Sequence, residues 1–323
     1  MKHFLSITDL DTAAMEAIFA MAGKMKKESG KIKLKGASGH SACLAGRQAA
    51  RTNTRNQPTL VMLFEKPSLR TRLSFEVAMT HLGGHAVYLG ADEIGIGTRE
   101  SIADISRVAS SMGDILVARV YSHATIYKFA KYASVPVING LSDWEHPCQA
   151  LSDLFTIIEA GKKLKGLKLA FVGDGENNIA HSLVLEGALW GMDIRVACPK
   201  GYEPAEGIME IAQRMAVNSS ASLLVTHNPL EAVSGADVVY TDTWVSMGDE
   251  ADKTMRQRVF PPYQVNSWLM TYAKKDAVFM HDLPAYRNYE VTDDVIDGPQ
   301  SIVFTQAENR LHITKALILY LLK

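Results

Sequence analysis

Thr59-Leu60-Val61-Met62-Leu63-Phe64-Glu65-Lys66-Pro67-Ser68-Leu69-Arg70-Thr71-Arg72 is the stretch on which the fold turns. Its first six residues form an apolar run of strand length, and the pattern beyond Arg72 has the period of a helix over 73–82. A strand that passes through a short polar loop into a helix is the unit from which parallel α/β layers are built. The same alternation recurs on the C-terminal side, with apolar or β-branched runs at 86–89, 115–120 and 135–138. A second series follows at 167–172, 193–197, 222–226, 237–241, 277–281 and 301–304, with helical segments between most of them. Pro147 sits well at the first turn of a helix over 147–158, which joins the two series.

The expected fold is therefore α/β, two doubly wound parallel-sheet domains with an interdomain cleft. The domains are placed at 1–145 and 146–306, with 307–323 as a C-terminal helix returning to the first domain. That last helix is marked by Leu311, Ala316, Leu317, Leu319 and Leu322. Upstream, Met15, Ile18, Phe19, Ala22 and Met25 recur at helical spacing, with Thr8 or Asp9 as cap and Gly30 as stop. Residues 36–58 have no sustained apolar period and read as a long loop.

A chain of 323 residues suits two cores rather than one. Its 34 basic against 35 acidic residues leave a net charge of -1, so no overall field draws it to nucleic acid or to an anionic membrane. Any anion has to be met by a local site. Cys43, Cys148 and Cys198 are widely spaced and form no metal or disulfide pattern, which fits a reducing cytoplasm. No apolar run reaches the length of a signal core or a membrane span.

Five segments carry candidate chemistry, most of them at a strand end or a helix start. Ser68, Arg70 and Thr71 lie where a helix begins, so hydroxyls and a guanidinium join free backbone N–H groups in a site suited to phosphate. The competing reading is a capped helix with surface arginines. His146 and Gln149, three apart on a first helical turn, can point at one small group and polarise a carbonyl, or His146 can simply cap the helix beside Pro147. Asp242-Thr243-Trp244-Val245-Ser246-Met247-Gly248 places a carboxylate at a strand end, suited to an amine, although a solvated turn is equally compatible with Gly248. His281-Asp282-Leu283-Pro284-Ala285 and Glu308-Asn309-Arg310-Leu311-His312 are the fourth and fifth, each unremarkable alone. Gly173-Asp174-Gly175-Glu176-Asn177-Asn178 invites a dinucleotide-binding reading, but Asn178 stands where the third glycine should be.

In order and wording these motifs resemble the aspartate/ornithine carbamoyltransferase family, from about Leu60 to the C-terminus. Ser68, Arg70, Thr71 and Arg72 match its phosphate loop, and His146 and Gln149 its carbamoyl motif. Asp242, Ser246, Met247 and Gly248 match the signature of the ornithine branch. The resemblance implies transfer of a carbamoyl group from carbamoyl phosphate to L-ornithine, giving L-citrulline, as a step of arginine metabolism without cofactor or metal. By it, Ser68, Leu69, Arg70, Thr71, Arg119, His146, Gln149 and Arg310 bind carbamoyl phosphate. Asn177, Asn178, Asp242, Ser246, Met247 and Leu283 hold ornithine, and Arg119, His146, Gln149 and Asp282 are the catalytic set. It further implies a homotrimer or an assembly of trimers, with the loop from Gly95 to Ser101 reaching a neighbouring site.

Three positions depart from the family pattern. Leu69 replaces a usual Thr, Gly95 a frequent Gln, and Asp282 the Cys that the ornithine branch carries between His and Leu. If ionised, a carboxylate at 282 would repel an anionic donor while drawing a cationic amine and accepting its proton; if neutralised by burial, it would donate a hydrogen bond to the carbamoyl group, and either state is expected to alter kinetics or acceptor choice. Other acceptors (putrescine, lysine, an N-acylornithine) and a non-catalytic ligand-binding role are the alternatives.

Overall fold

The computed structural model describes residues 2–28, 57–96, 99–245 and 252–323. The chain divides into one unit of Met1–Leu151 with Asn309–Lys323 and a second of Ser152–Glu308. Each is built on its own parallel sheet.

In the first unit β1 (Thr59–Phe64), β2 (His85–Leu89), β3 (Ile115–Arg119) and β4 (Val137–Leu141) are ordered β2-β1-β3-β4, all parallel. Strands covered on both faces cannot alternate apolar with polar residues. Leu60 to Phe64 and all of β3 are buried accordingly, whereas β2 on the edge is only half-buried. Leu63, Leu116, Ala118, Ile126, Phe129 and Val137 belong to this core. From β1 the chain moves outward to β2, then crosses back to β3 on the other side. The order thus reverses between β1 and β3, the place where open α/β sheets leave a crevice beyond their carboxyl ends. Ser68 to Arg72 follow β1 directly, and Arg119 closes β3.

The second unit holds β5 (Lys168–Val172), β6 (Asp193–Ala197), β7 (Ser222–Thr226), β8 (Val238–Tyr240) and β9 (Val278–Met280), ordered β7-β6-β5-β8-β9 and again parallel. Its reversal falls between β5 and β8. Asn177 lies beyond β5, Asp242 beyond β8 and His281 beyond β9, at the same end of the sheet. Val172, Ala197, Val239, Phe279 and Val303 pack in its core.

Three expectations are corrected. Residues 301–304 are not a strand: Ser301 makes one isolated bridge to Phe279, and a helix begins at Val303 and runs to Leu322. A four-residue apolar run has too few positions to separate a buried strand from a helix's first turn. Here Val303 is buried and Phe304 is 66% exposed. The strand expected at 135–138 lies instead at Val137–Leu141 and takes in Asn139 and Gly140. Gly140 belongs there because a Cβ would come within 3.0 Å of Val117. At the N-terminus neither Thr8 nor Asp9 caps the helix: both lie in a short 3-10 turn, Ile7–Asp9, capped by Ser6, and the helix spans Thr12–Glu28 with Asp11 Oδ1 accepting the Ala14 N–H at 2.7 Å, while the expected stop at Gly30 lies outside the described residues. Of the long loop expected at 36–58, all but Gln57 and Pro58 lies outside the described residues.

Glu186, in the helix Asn178–Trp190, is fully buried, and neither of its carboxylate oxygens has a hydrogen-bond partner among the described residues. Burial, reinforced by the charge of Asp153, pushes its pKa well above the usual carboxylate range. Folding therefore carries a proton onto Glu186. Its contribution to stability is complete below the ordinary carboxyl value of about 4.3 and is lost as pH rises toward the folded pKa. We expect Glu186→Gln to flatten the decline of stability with rising pH, by up to about 1.4 kcal/mol per pH unit above about pH 5. Thermal midpoints that fall in parallel for the two proteins from pH 5 to about 8 would show that the carboxyl is ionised in the fold.

Candidate functional site

At the carboxyl end of the first sheet, the Ser68 hydroxyl accepts the Thr71 N–H at 3.2 Å and caps the helix Leu69–His81. The cap and the anion grip are not exclusive, since the first turn still carries a partial positive charge. Leu69 projects its side chain outward, 74% exposed, so only its backbone faces an anion at this turn.

Thr71 is the node of the cluster. Its buried Oγ1 accepts from Arg310 Nη2 at 3.2 Å and Arg119 Nη1 at 3.5 Å. Arg310, brought in by the helix Val303–Leu322, also donates through Nη1 to Gln149 Oε1, which orients the Gln149 amide. His146, Gln149, Arg119 and Arg310 are all buried. Burial first, and then the charges of Arg310, Arg119 and Arg70, hold the His146 pKa well below its usual value, so the imidazole is neutral. Three guanidiniums acting on one histidine form a concentrated positive site, suited to a multiply charged anion. The neutral ring can donate a hydrogen bond without adding charge.

At the carboxyl end of the second sheet the sign is opposite. Asn177 caps its helix by accepting the Ala180 N–H at 2.7 Å, and its Nδ2 donates to Asp242 Oδ2 at 3.0 Å. Asp242 Oδ1 accepts the Thr243 N–H at 2.6 Å. Asp242, His281 and Asp282 each place one potential ligand atom within 4.8 Å of the others. Burial, then the carboxylate of Asp282, raises the Asp242 pKa well above its usual value. Asn178 begins the helix, half-buried. Ser246, Met247 and Gly248 lie outside the described residues.

The His281 ring is held on both sides. Nε2 lies 3.1 Å from the buried Glu290 Oε1, which also accepts the Tyr286 N–H. Nδ1 accepts the Leu283 N–H at 2.9 Å, with Asp282 Oδ1 3.4 Å away. That contact identifies Nδ1 as unprotonated in this arrangement. Burial alone would lower the ring's pKa, but Asp282 and Glu290 outweigh it and raise the value to about 9. An Asp-His-Asp set can hold a divalent cation or an ammonium group; His281 could ligate a metal only by giving up Leu283. Leu283 itself has φ 62, a rare backbone state for a branched residue.

Glu290 was not legible in the sequence, because it lies nine positions beyond His281 across loop and turn and no spacing rule links them. Gly175, after β5, has a packing reason to be glycine. A Cβ on Gly175 would come within 2.6 Å of the Tyr202 carbonyl oxygen, so the glycine admits backbone rather than a pyrophosphate. Asp174 is spent on Arg256 at 2.5 Å. In the loop from Gly95, itself at φ 57, Arg99 donates to the Glu93 carbonyl at 2.6 Å.

Two family models match. The aspartate/ornithine carbamoyltransferase carbamoyl-P binding domain covers residues 2–159, and the Asp/Orn binding domain covers 165–321. The chain is 54% identical over 264 residues to an ornithine carbamoyltransferase of Pyrococcus abyssi, across 82% of this chain and 83% of that protein. It is 47% identical over 321 residues to that of Anoxybacillus flavithermus, across 99% and 96%. Among solved structures, the Pyrococcus furiosus ornithine carbamoyltransferase superposes with a TM-score of 0.87 at 46% identity, covering 98% of this chain and 96% of that one. The anabolic enzyme of Campylobacter jejuni gives 0.88 at 37%, covering 99% of both. With a cationic cluster after one sheet, a carboxylate cluster after the other and matches along nearly its whole length, the chain belongs to the aspartate/ornithine carbamoyltransferase family.

Proposed function

We propose that this protein transfers the carbamoyl group of carbamoyl phosphate to the δ-amine of L-ornithine, giving L-citrulline and phosphate. One observation carries the choice of acceptor: Asp242 and Asp282 stand together at the end of the second sheet. Paired carboxylates attract an ammonium group and repel the side-chain carboxylate that an aspartate acceptor would bring. The ornithine carbamoyltransferase relatives support the same reading.

In this reading Ser68, Arg70, Thr71 and the Leu69 backbone bind the phosphate. Arg119, His146 and Gln149 stabilise the charge that grows on the carbonyl oxygen, with Arg310 holding Gln149 and the donor. Asn177 and Asn178 take the α-groups of ornithine, while Asp242, Leu283, Ser246 and Met247 orient its side chain. The amine arrives as an ammonium and must lose a proton before it attacks. Asp282, backed by His281 and Glu290, accepts that proton; the amine nitrogen bonds to the carbonyl carbon, and phosphate leaves with the electrons of the C–O bond. None of these steps calls for a cofactor.

We also read the protein as a cytoplasmic homotrimer or an assembly of trimers. Leu69, Leu73, Val108 and Met112, each at least half exposed in the first unit, support burial against further copies. Among the described residues no helix is long and apolar enough to cross a membrane.

With carbamoyl phosphate as donor, citrulline should form from ornithine in clear preference to products from putrescine, lysine or N-acetylornithine. Faster turnover of any of these would reassign the acceptor. Arg310→Ala should lower kcat by about 100-fold or more, the usual scale for losing a donor that supports a developing oxyanion; a loss under about fivefold would remove Arg310 from that role. Because Asp282 helps to raise the Asp242 pKa, Asp282→Asn should lower it. If the ionised form binds the amine, the acid limb of kcat/KM for ornithine then moves to lower pH. A limb that stays in place or moves upward in a pH–rate series would contradict the shared role of the two carboxylates.

A further inference from the structure

Beneath the carboxylate cluster of the second unit lies a buried polar ring in which every bond has a defined direction. Asp153, Tyr240 and Gln306 are all 0% exposed. Gln306 Nε2 donates to Asp153 Oδ1 at 2.8 Å and to the Tyr240 hydroxyl at 2.9 Å. The Tyr240 hydroxyl donates to Asp153 Oδ2 at 3.0 Å. Both amide hydrogens of Gln306 are thereby used, which turns its Oε1 to the remaining contact, the N–H of His281 at 3.0 Å.

We propose that Asp153 is a positioning residue for the amine end of the site, acting through Tyr240 and Gln306 on the strand ends that carry Asp242 and His281. Tyr240 is the last residue of β8, two before Asp242, and pairs in register with Met280, the residue before His281. Beyond that pair the sheet offers one long hydrogen bond, from Thr241 N to Met280 O at 3.3 Å. The ring therefore supplies, from below, what the ladder no longer supplies at these ends. Both carboxyl oxygens of Asp153 accept, one from Gln306 Nε2 and one from the Tyr240 hydroxyl, so the ring sets which way the Gln306 amide faces. With the amide reversed, Oε1 would face the carboxylate and the His281 N–H would be left buried without its acceptor, a cost of about 1–3 kcal/mol.

The inference rests on the proposed roles of Asp242 in orienting ornithine and of Asp282, backed by His281, in taking its proton. Steady-state kinetics of the full-length protein, with each substrate varied in turn, test it. Asp153→Asn keeps one acceptor and sets an amide donor against the donor of either Tyr240 or Gln306. It should lower kcat/KM for ornithine by about tenfold or more, while the KM for carbamoyl phosphate stays within about twofold. A merely structural role would lower the yield of folded protein and its thermal midpoint, leaving the ornithine KM of the folded fraction unchanged. Should Asp153→Asn not fold, Tyr240→Phe, which keeps the Gln306–Asp153 bond, decides by the same split. Equal losses toward both substrates or an unaltered ornithine kcat/KM would overturn the proposal. Parent enzyme that forms no citrulline would instead remove the functional reading and this proposal with it.

Discussion

A parallel strand buried on both faces has nowhere to put polar chemistry except at its ends. The strands β1, β3, β5 and β8 are nearly all buried and apolar, so each unit must concentrate its polar side chains where the chain leaves the sheet. Strand order then selects among those exits. Only where it reverses do neighbouring loops part and leave room for a ligand. Thr71 and Arg119 occupy that position in the first unit, Asn177 and Asp242 in the second.

The two clusters solve the problem of buried charge in opposite ways. Arg119 and Arg310 share the Thr71 hydroxyl and keep His146 neutral, so the positive charge stays on groups that cannot lose it at any physiological pH. The cluster is ready for an anion at the cost of mutual repulsion. Burial and the nearness of Asp282 raise the Asp242 pKa, and His281 stands beside the pair with Glu290 behind it. A cation near the pair would offset that shift. Charge is fixed in the first cluster and movable in the second, an arrangement suited to an anion in one and a titrating amine in the other.

The departures at Leu69 and Asp282 have different weight once they are seen in place. Leu69 turns its side chain to solvent and contributes backbone only, so the missing hydroxyl removes one contact and leaves the cap and the arginines as they are. Asp282 enters the titrating cluster itself and changes the protonation of its neighbour. The same kind of substitution is peripheral in one loop and central in the other because only one of them faces ionisable groups.

By itself the sequence determined the α/β class, the strand-loop-helix grammar around Ser68 and the identity of the polar groups at the strand ends, because burial on both faces writes itself as unbroken apolar runs. It also identified His146, Gln149 and Arg310 as candidates, though not as neighbours. Only the tertiary structure brought Arg310 to Thr71 across 239 positions and Gln306 to Asp153 across 153, since no local period records such separations. It also turned 301–304 into a helix start, where packing of Val303 outweighed β-propensity. Titration was decided there as well: burial and charges contributed from other elements hold the His146 pKa down and raise that of Asp242, and a linear chain contains neither.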